Sequence, residues 1–99
     1  MITFTQSMSV DNSTGLTIKR SDAGTDGCIP TDVDIRTISV LPATITDSYY
    51  VKGTHASSEW AKITGEFEIS GIPANPGENI FYIKGDSGTI TVSLYVKGY

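Results

Sequence analysis

The sequence has few of the side chains on which most reactive sites depend. It contains one cysteine, one histidine and one tryptophan. A single cysteine excludes an internal disulfide, and one histidine with one cysteine cannot supply a zinc site of four protein ligands. We therefore predict a fold that needs neither, no cofactor, and a packing role for Cys28 rather than that of a reactive thiol.

Positive charge and long apolar segments are also scarce. Eleven acidic residues outnumber seven basic ones, giving a formal net charge of −4, and the basic residues are scattered apart from the pair Lys19 and Arg20. A protein that follows nucleic-acid phosphates needs a basic stripe, and none is visible. No apolar run approaches the ~18 residues that span a bilayer, and no secretory leader is seen. We therefore expect neither nucleic acid nor a membrane as a partner.

Leucine is rare, and residues that favour strands take its place. The chain has 12 Ile, 6 Val and 13 Thr against 3 Leu. Branching at Cβ restricts χ1 and suits a pleated strand better than a helix. The only helix candidate, "ASSEWAK", is short and lacks a repeated apolar stripe. The composition therefore predicts an all-β protein.

Alternation of apolar and polar residues marks the strands. In "MITFTQSMSV" the even positions are mostly apolar and the odd ones are serine or threonine, and "TITVSLYVKGY" repeats this rhythm. About seven such segments, with turns roughly every 8–12 residues, are typical of a sandwich. We predict one antiparallel, immunoglobulin-like β-sandwich domain over residues 1–99, with a small β-barrel as the alternative. We find no internal repeat, and we expect the two terminal strands to lie at sheet edges.

Turn residues and breaks in the alternation predict the connections. "DNSTG" and "GDSG" have the composition of hairpin turns, each joining two neighbouring strands. The alternation slips near Thr37, which predicts a β-bulge. "ATITDSYYV" is predicted as a less regular strand.

The segment "WAKITGEFEIS" is predicted as a single strand. Gly65 falls at an inward position in it, which indicates a bulge or a close approach of another chain segment. This strand and the last one have the most regular inward positions. We expect five of their side chains to share one core: Ile63, Phe67, Ile90, Val92 and Leu94.

An acidic segment is the candidate metal site. Four aspartates lie in one segment of thirteen residues that also contains glycines. Carboxylate oxygens are the ligands that calcium prefers. Their spacing does not match an EF-hand loop, and acidic loops are commonly only solvated. We predict no metal, and keep as calcium candidates Asp22, Asp26, Asp32 and Asp34.

The single histidine is the candidate for acid–base chemistry. His55 lies in a polar loop beside Ser57, Ser58 and Glu59, so an arrangement of serine, histidine and acid is conceivable. Nothing resembles the strained turn that presents a nucleophilic serine. We predict that the protein is not an enzyme and that His55 is an exposed loop residue.

Aromatic residues give the candidate ligand site. Tyr49, Tyr50 and Trp60 flank the loop "KGTHASSE", and sugars stack on flat aromatic faces. Adjacent tyrosines on a strand point to opposite faces, so one of the two is expected to be exposed. A lone tryptophan in a small sandwich often belongs to the core. Both interpretations of Trp60 stay open, and the three aromatics define a carbohydrate-binding alternative.

Taken whole, the chain resembles the small all-β structural proteins of tailed-bacteriophage virions. These are decoration (cement) proteins and immunoglobulin-like head or tail modules. The resemblance rests on "MITFTQSMSV", which starts a strand at the initiator methionine, on Ser/Thr/Gly-rich alternating strands, and on "TITVSLYVKGY". It includes no family motif, so it assigns no functional residue.

The resemblance implies a non-enzymatic virion structural protein that binds and reinforces an assembled capsid or tail. The implied partners are a major capsid or tail protein and further copies of this chain on the assembly. The implied location is the virion, assembled in the host cytoplasm. The alternative is a carbohydrate- or surface-binding module, such as an adhesin or fibre domain.

Overall fold

The computed structural model describes residues 2–72 and 75–99, which form nine strands and no helix. None of the described residues belongs to a helix long and apolar enough to cross a membrane. The all-β prediction is confirmed, although two more strands are found than the alternation indicated. The strands are β1 (Ile2–Val10), β2 (Leu16–Arg20), β3 (Cys28–Ile29), β4 (Ile35–Pro42), β5 (Ser48–Lys52), β6 (Ala61–Thr64), β7 (Phe67–Ser70), β8 (Asn79–Gly85) and β9 (Ile90–Gly98).

The strands form two sheets with the order of a jelly roll. Sheet 1 has the order β1-β9-β4-β7, and sheet 2 has the order β3-β2-β8-β5-β6. Apart from the short β3, which pairs parallel with β2, all neighbours are antiparallel, and the first strand pairs with the last. An immunoglobulin-like order separates those two strands into different sheets, so the observed order is instead that of a jelly roll. Each sheet keeps two edges, and the predicted alternative of a closed barrel is not found.

The two turns predicted as hairpins connect different sheets. Residues 11–15 lead from β1 in sheet 1 to β2 in sheet 2, and residues 86–89 lead from β8 back to β9. Alternation shows which face of a strand is apolar. It does not distinguish a hairpin from a connection that crosses between sheets, because in both cases the apolar face points inward. The hairpin predictions are therefore wrong, because the apolar faces meet across the core and not side by side.

The first crossing is held by the side chain of Asp11. Its Oδ1 accepts hydrogen bonds from the backbone N–H groups of Ser13, Thr14 and Gly15 at 3.0, 2.8 and 2.9 Å. Gly15 has a φ of 68°, a conformation that glycine adopts without strain. The Asp11 side chain thus forms an Asx turn, and this turn closes a crossing between the sheets.

The predicted long strand around Gly65 is two strands in two sheets. β6 belongs to sheet 2 and β7 to sheet 1, and the chain bends between them at Gly65, whose φ is 86°. A Cβ at Gly65 would meet nothing within 4 Å among the described residues, so the positive φ of the bend, and not a lack of space for a side chain, is what calls for glycine. Ile63 and Phe67 nevertheless both pack against the core, which explains why the alternation looked continuous.

Two other local predictions have different outcomes. The pairing of β4 with β9 shifts register between Ile35 and Thr37, so the irregularity predicted near Thr37 is confirmed. The strand predicted over "ATITDSYYV" begins only at Ser48. The residues before it form a turn, closed by a hydrogen bond from the Asp47 N–H to the Thr44 carbonyl.

The core lies between the sheets, and a tyrosine crosses it. Of the five predicted core side chains, Ile90, Val92 and Leu94 belong to one buried cluster, and the partly buried Ile63 and Phe67 pack against it. Tyr49 of β5 is fully buried there, and its hydroxyl hydrogen is shared between the carbonyl oxygens of Val40 in β4 (3.2 Å) and Gly65 (2.8 Å). Burial raises the pKa of Tyr49 to about 12, which keeps the hydroxyl protonated as a donor. This side chain therefore ties sheet 2 to sheet 1.

Replacing Tyr49 by phenylalanine tests that tie. We expect Tyr49→Phe to lower the free energy of unfolding by about 1–2 kcal/mol, because buried carbonyl groups lose their donor. The measurement is urea denaturation followed by circular dichroism. Tyr95→Phe is the matched control, since Tyr95 is 40% exposed on the outer face of sheet 1. Equal stability of the two variants would contradict the proposed role.

The turn at Asp11 predicts an acid-dependent loss of stability. The N–H of Gly15, followed by the hydroxyl and N–H of Thr14, lowers the pKa of Asp11 from 3.8 to about 2. A depressed pKa gives stability that is present above the unfolded-state value and is lost as pH falls. We therefore expect Asp11→Ala to lower Tm at neutral pH, and to flatten the fall of Tm from about pH 4 to about pH 2.

The control for this experiment is Asp26→Ala, which removes an exposed aspartate from the loop 21–32. It should leave the slope of Tm against pH unchanged. A wild-type slope in Asp11→Ala would show that the carboxylate does not stabilise the turn.

Candidate functional site

The structure separates the three aromatics proposed to bind a ligand. Tyr49 is buried between the sheets and cannot serve as a platform, which corrects that part of the prediction. Tyr50, its neighbour, points outward from sheet 2 as alternation requires. Trp60 lies on the same outer face and is 38% exposed, so it belongs to the surface and not to the core.

A short repeated pattern places tyrosine and lysine together on this face. The segments 49–53, 81–85 and 94–98 read YYVKG, FYIKG and LYVKG, a repeat that the sequence analysis overlooked. In each, the second and fourth residues share one face of a strand. The first two copies are the neighbouring strands β5 and β8, and the third lies in β9 of sheet 1.

The antiparallel register sets each lysine opposite a tyrosine. Tyr50 pairs with Lys84, and Lys52 pairs with Tyr82. On the other side of β5, Tyr50 pairs with Lys62 of β6. With the tryptophan that precedes β6, these outward side chains form an alternating pattern of three aromatics and three lysines. We call it the Tyr-Lys face: Tyr50, Lys52, Trp60, Lys62, Tyr82 and Lys84.

The lysine ammonium groups lie over the aromatic rings. Lys84 Nζ is 4.3 Å from the centroid of the Trp60 ring and 5.6 Å from that of Tyr50. Lys52 Nζ is 5.5 Å from the Trp60 centroid. These distances fit cation–π contacts, so two positive charges lie close to the indole ring.

A shallow groove borders the tryptophan. Its cavity volume is about 250 Å³, and it is lined by Lys52, Trp60 and Tyr82 of the face together with Thr14, Leu16 and Thr17. The Tyr82 ring lies against Gly53, where a Cβ would be only 2.5 Å from a ring carbon. The glycine that ends YYVKG thus leaves room for the tyrosine of the second copy.

The Tyr-Lys face concentrates the protein's positive charge. Together with Lys19 on β2, it carries four of the five lysines. Lys62 Nζ lies 3.4 Å from Asp86 Oδ2, and hydrogen bonds led by that from the Ser48 hydroxyl lower the pKa of Asp86. Within residues 2–72 and 75–99, no carboxylate oxygen lies within 4.0 Å of the Lys52 or Lys84 ammonium. Two cations are therefore available to an anionic ligand.

The four aspartates proposed for calcium do not converge. In the part of the chain that the structure describes, no three His, Cys, Asp or Glu side chains form a group able to hold a metal. Asp22 instead accepts hydrogen bonds from the Thr31 hydroxyl (2.7 Å) and N–H (2.8 Å), which lower its pKa. Asp34 lies 3.8 Å from Arg36. These carboxylates close loops and pair with a cation, and Asp26 and Asp32 are exposed.

The cysteine and an arginine stabilise the same loop from inside. Cys28 is buried, with Sγ 3.2 Å from the Thr25 hydroxyl. Arg20 is also buried, and its guanidinium donates to the carbonyls of Val33 and Thr31. A buried arginine was not expected from the sequence, where Arg20 stood only as the neighbour of Lys19 in the one pair of adjacent basic residues.

The histidine loop has no hydrogen bond from serine to histidine among the described residues. His55 is only partly exposed, and its Nε2 lies 3.8 Å from Glu78 Oε1, so its acidic neighbour is not Glu59. The backbone N–H of His55 donates to the Ile80 carbonyl. The residue packs the loop against β8, and the expectation of full exposure is wrong.

No protein-family model matches the chain, and no curated protein or solved structure is found to be similar to it. The resemblance to virion structural proteins therefore stays a prediction. Interpretation of the Tyr-Lys face depends on its geometry and charge.

Metal removal tests the interpretation of the acidic loop. We expect EDTA to leave Tm unchanged, because the Asp22 carboxylate is engaged by Thr31 and no group of three possible metal ligands forms among the described residues. The measurement is differential scanning fluorimetry with EDTA and with added CaCl₂. A fall in Tm that calcium restores would make the loop a metal site.

Proposed function

We propose that this protein is a non-enzymatic virion structural module of the decoration or cement type. It binds an assembled capsid or tail and reinforces it. The observation that carries the proposal is the free edge of β1, a long strand suited to pairing with a strand of another chain. The sequence resemblance supplies the kind of assembly.

β1 has the properties of an edge that is open to pairing. It lies at the end of sheet 1 and pairs only with β9 among the described strands. Its nine residues include no charge and no proline, the devices by which proteins commonly block edge-to-edge association. The Gln6 side chain contacts the neighbouring loop, accepting from the Gly27 N–H at 2.9 Å. A partner strand added here would gain backbone hydrogen bonds along most of β1.

The outer face beside this edge is rich in β-prone hydroxyl side chains, and Tyr95 and Lys97 of β9 are also exposed on it. Thr3, Thr5, Ser7 and Ser9 of β1 are all exposed, and Thr91 and Ser93 continue the hydroxyl-bearing surface on β9. Such a surface contributes little charge repulsion when it approaches another protein. It favours attachment through many small contacts, which repeated sites on a lattice strengthen.

The position of the last strand leaves only one of the two terminal strands available for edge-to-edge attachment through sheet 1. β9 lies between β1 and β4, so the expectation that both terminal strands lie at edges is wrong for β9. Attachment through sheet 1 therefore uses β1, and residues of β9 support it from the side.

The fold is compatible with this function and with the carbohydrate-binding alternative. Jelly rolls include viral capsid domains and lectins, and a fold by itself does not decide function. The exposed ring of Trp60 beside Tyr50 is the observation that favours carbohydrate binding as the second candidate. The two activities use different sheets and are compatible in one protein.

A lysine placed on the edge strand tests attachment. We expect the wild-type chain to co-sediment, from an extract of its native source, with a regular particle visible by negative-stain electron microscopy. Its ratio to the main shell or tube protein should be fixed. Thr5→Lys should reduce the bound fraction by about tenfold, because charge on an edge strand opposes pairing.

Thr91→Lys is the matched control, since Thr91 is exposed on the same outer face but lies on the interior strand β9. It should retain attachment, and both variants should keep the wild-type Tm. Equal loss of attachment in the two variants would assign binding to the face and not to the edge. A folded wild-type chain that co-sediments with no particle would overturn the proposed function.

A further inference from the structure

We propose that the Tyr-Lys face binds an acidic oligosaccharide, a chain of sugar rings bearing carboxylate or sulfate groups. Trp60 and Tyr82 provide the ring-stacking surface, and Lys52 and Lys84 provide the cations. The proposal does not rest on virion attachment, because the face belongs to sheet 2 and the free edge to sheet 1.

The aromatic part of the face has the form of a platform. Trp60 is 38% exposed, and Gly53 leaves room for the Tyr82 ring to lie close against the backbone. The groove of about 250 Å³ lies between these rings and the start of β2. The apolar C–H faces of a pyranose ring pack on such surfaces. Thr17 also lines the groove and carries a hydroxyl that can hydrogen-bond to sugar hydroxyls, whereas the Thr14 hydroxyl is engaged by Asp11.

The charges select an acidic sugar over a neutral one. Lys84 and Lys52 lie over the Trp60 ring without a carboxylate partner among the described residues. A neutral sugar that stacked on Trp60 would displace these ammonium groups from the ring without providing a negative charge to pair with them. A carboxylate or sulfate beside the stacked ring accepts charge-assisted hydrogen bonds from them. The site thus favours ligands that provide both groups together.

The arrangement fits a short acidic glycan better than a nucleic acid. Single-stranded nucleic acid also stacks on aromatic rings, but it requires a positive groove that follows several phosphates. Here the positive area is limited by Asp86 beside Lys62 and by the exposed Glu59 next to Trp60. The net charge of −4 also repels an extended polyanion. One or two acidic groups on a small ligand match the two free lysines.

The experiment measures ligand binding by the intrinsic fluorescence of Trp60. The chain has one tryptophan, and it lies in the proposed site, so binding should change its fluorescence. The probes are tetragalacturonate and a heparin tetrasaccharide, with maltotetraose as the neutral comparison and oligothymidylate as the nucleic-acid comparison. We expect at least one acidic tetrasaccharide to bind at least about tenfold more tightly than maltotetraose. Raising salt from about 20 mM to about 300 mM should weaken this binding.

Two lysines from copies of the same repeat provide matched variants. Lys84→Gln removes the ammonium nearest Trp60 and should weaken binding of the acidic probe by about tenfold. Lys97→Gln makes the same change in the copy on sheet 1, where Lys97 is exposed on β9, and should bind normally. Trp60→Ala, measured by calorimetry, should abolish binding while leaving Tm close to wild type.

The results also define what overturns the proposal. It fails if neither acidic probe binds, or if Lys84→Gln and Lys97→Gln weaken binding equally. Tighter binding of oligothymidylate than of both acidic tetrasaccharides would assign the face to single-stranded nucleic acid instead. Since these measurements need no particle, their outcome is independent of whether the protein attaches to a virion.

Discussion

The structure depends on burying two apolar sheet faces against each other while the chain passes repeatedly between the sheets. Of the eight connections between successive strands, only those from β2 to β3 and from β5 to β6 stay within one sheet. At every crossing the chain departs from the hydrogen-bonded ladder, so buried backbone N–H and C=O groups there need other hydrogen-bond partners. Asp11 solves this at the first crossing, and Gly65 with the Tyr49 hydroxyl solves it at another. The tyrosine fixes the distance between the sheets at a point where the backbone bends.

In this arrangement the inward positions of the strands are used for packing the core, so the outward positions are the ones available for binding. Sheet 1 presents serine and threonine beside an open edge, while sheet 2 presents alternating tyrosine, tryptophan and lysine. The two surfaces lie on opposite layers of the sandwich, so occupation of one does not block the other. A small domain can in this way be attached on one side and bind a ligand on the other.

The sequence predicts the strands well because alternation is a property of each strand alone. It predicted the core position of Val92 and the irregularity at Thr37 on that basis. It does not specify which strands are neighbours, since "DNSTG" is an adequate turn for a hairpin and for a crossing. The same limit concealed the site: Lys52 and Lys84 are 32 residues apart in the sequence, and only the pairing of β5 with β8 brings them together. The YYVKG and FYIKG repeat was the available signal.

The alternation of lysine with aromatic residues also explains how an exposed tryptophan is tolerated. Bare aromatic surface beside an open sheet would promote association with other apolar surfaces. Lys84 and Lys52 make cation–π contacts with the Trp60 ring, and their charge next to the ring opposes the approach of the same face of another copy. A ligand that stacks on Trp60 must therefore provide the two lysines with a new partner in place of the lost cation–π contacts. An anion attached to an apolar ring does so, because the ring takes the place of the ammonium over the indole and the anion then pairs with the displaced charge.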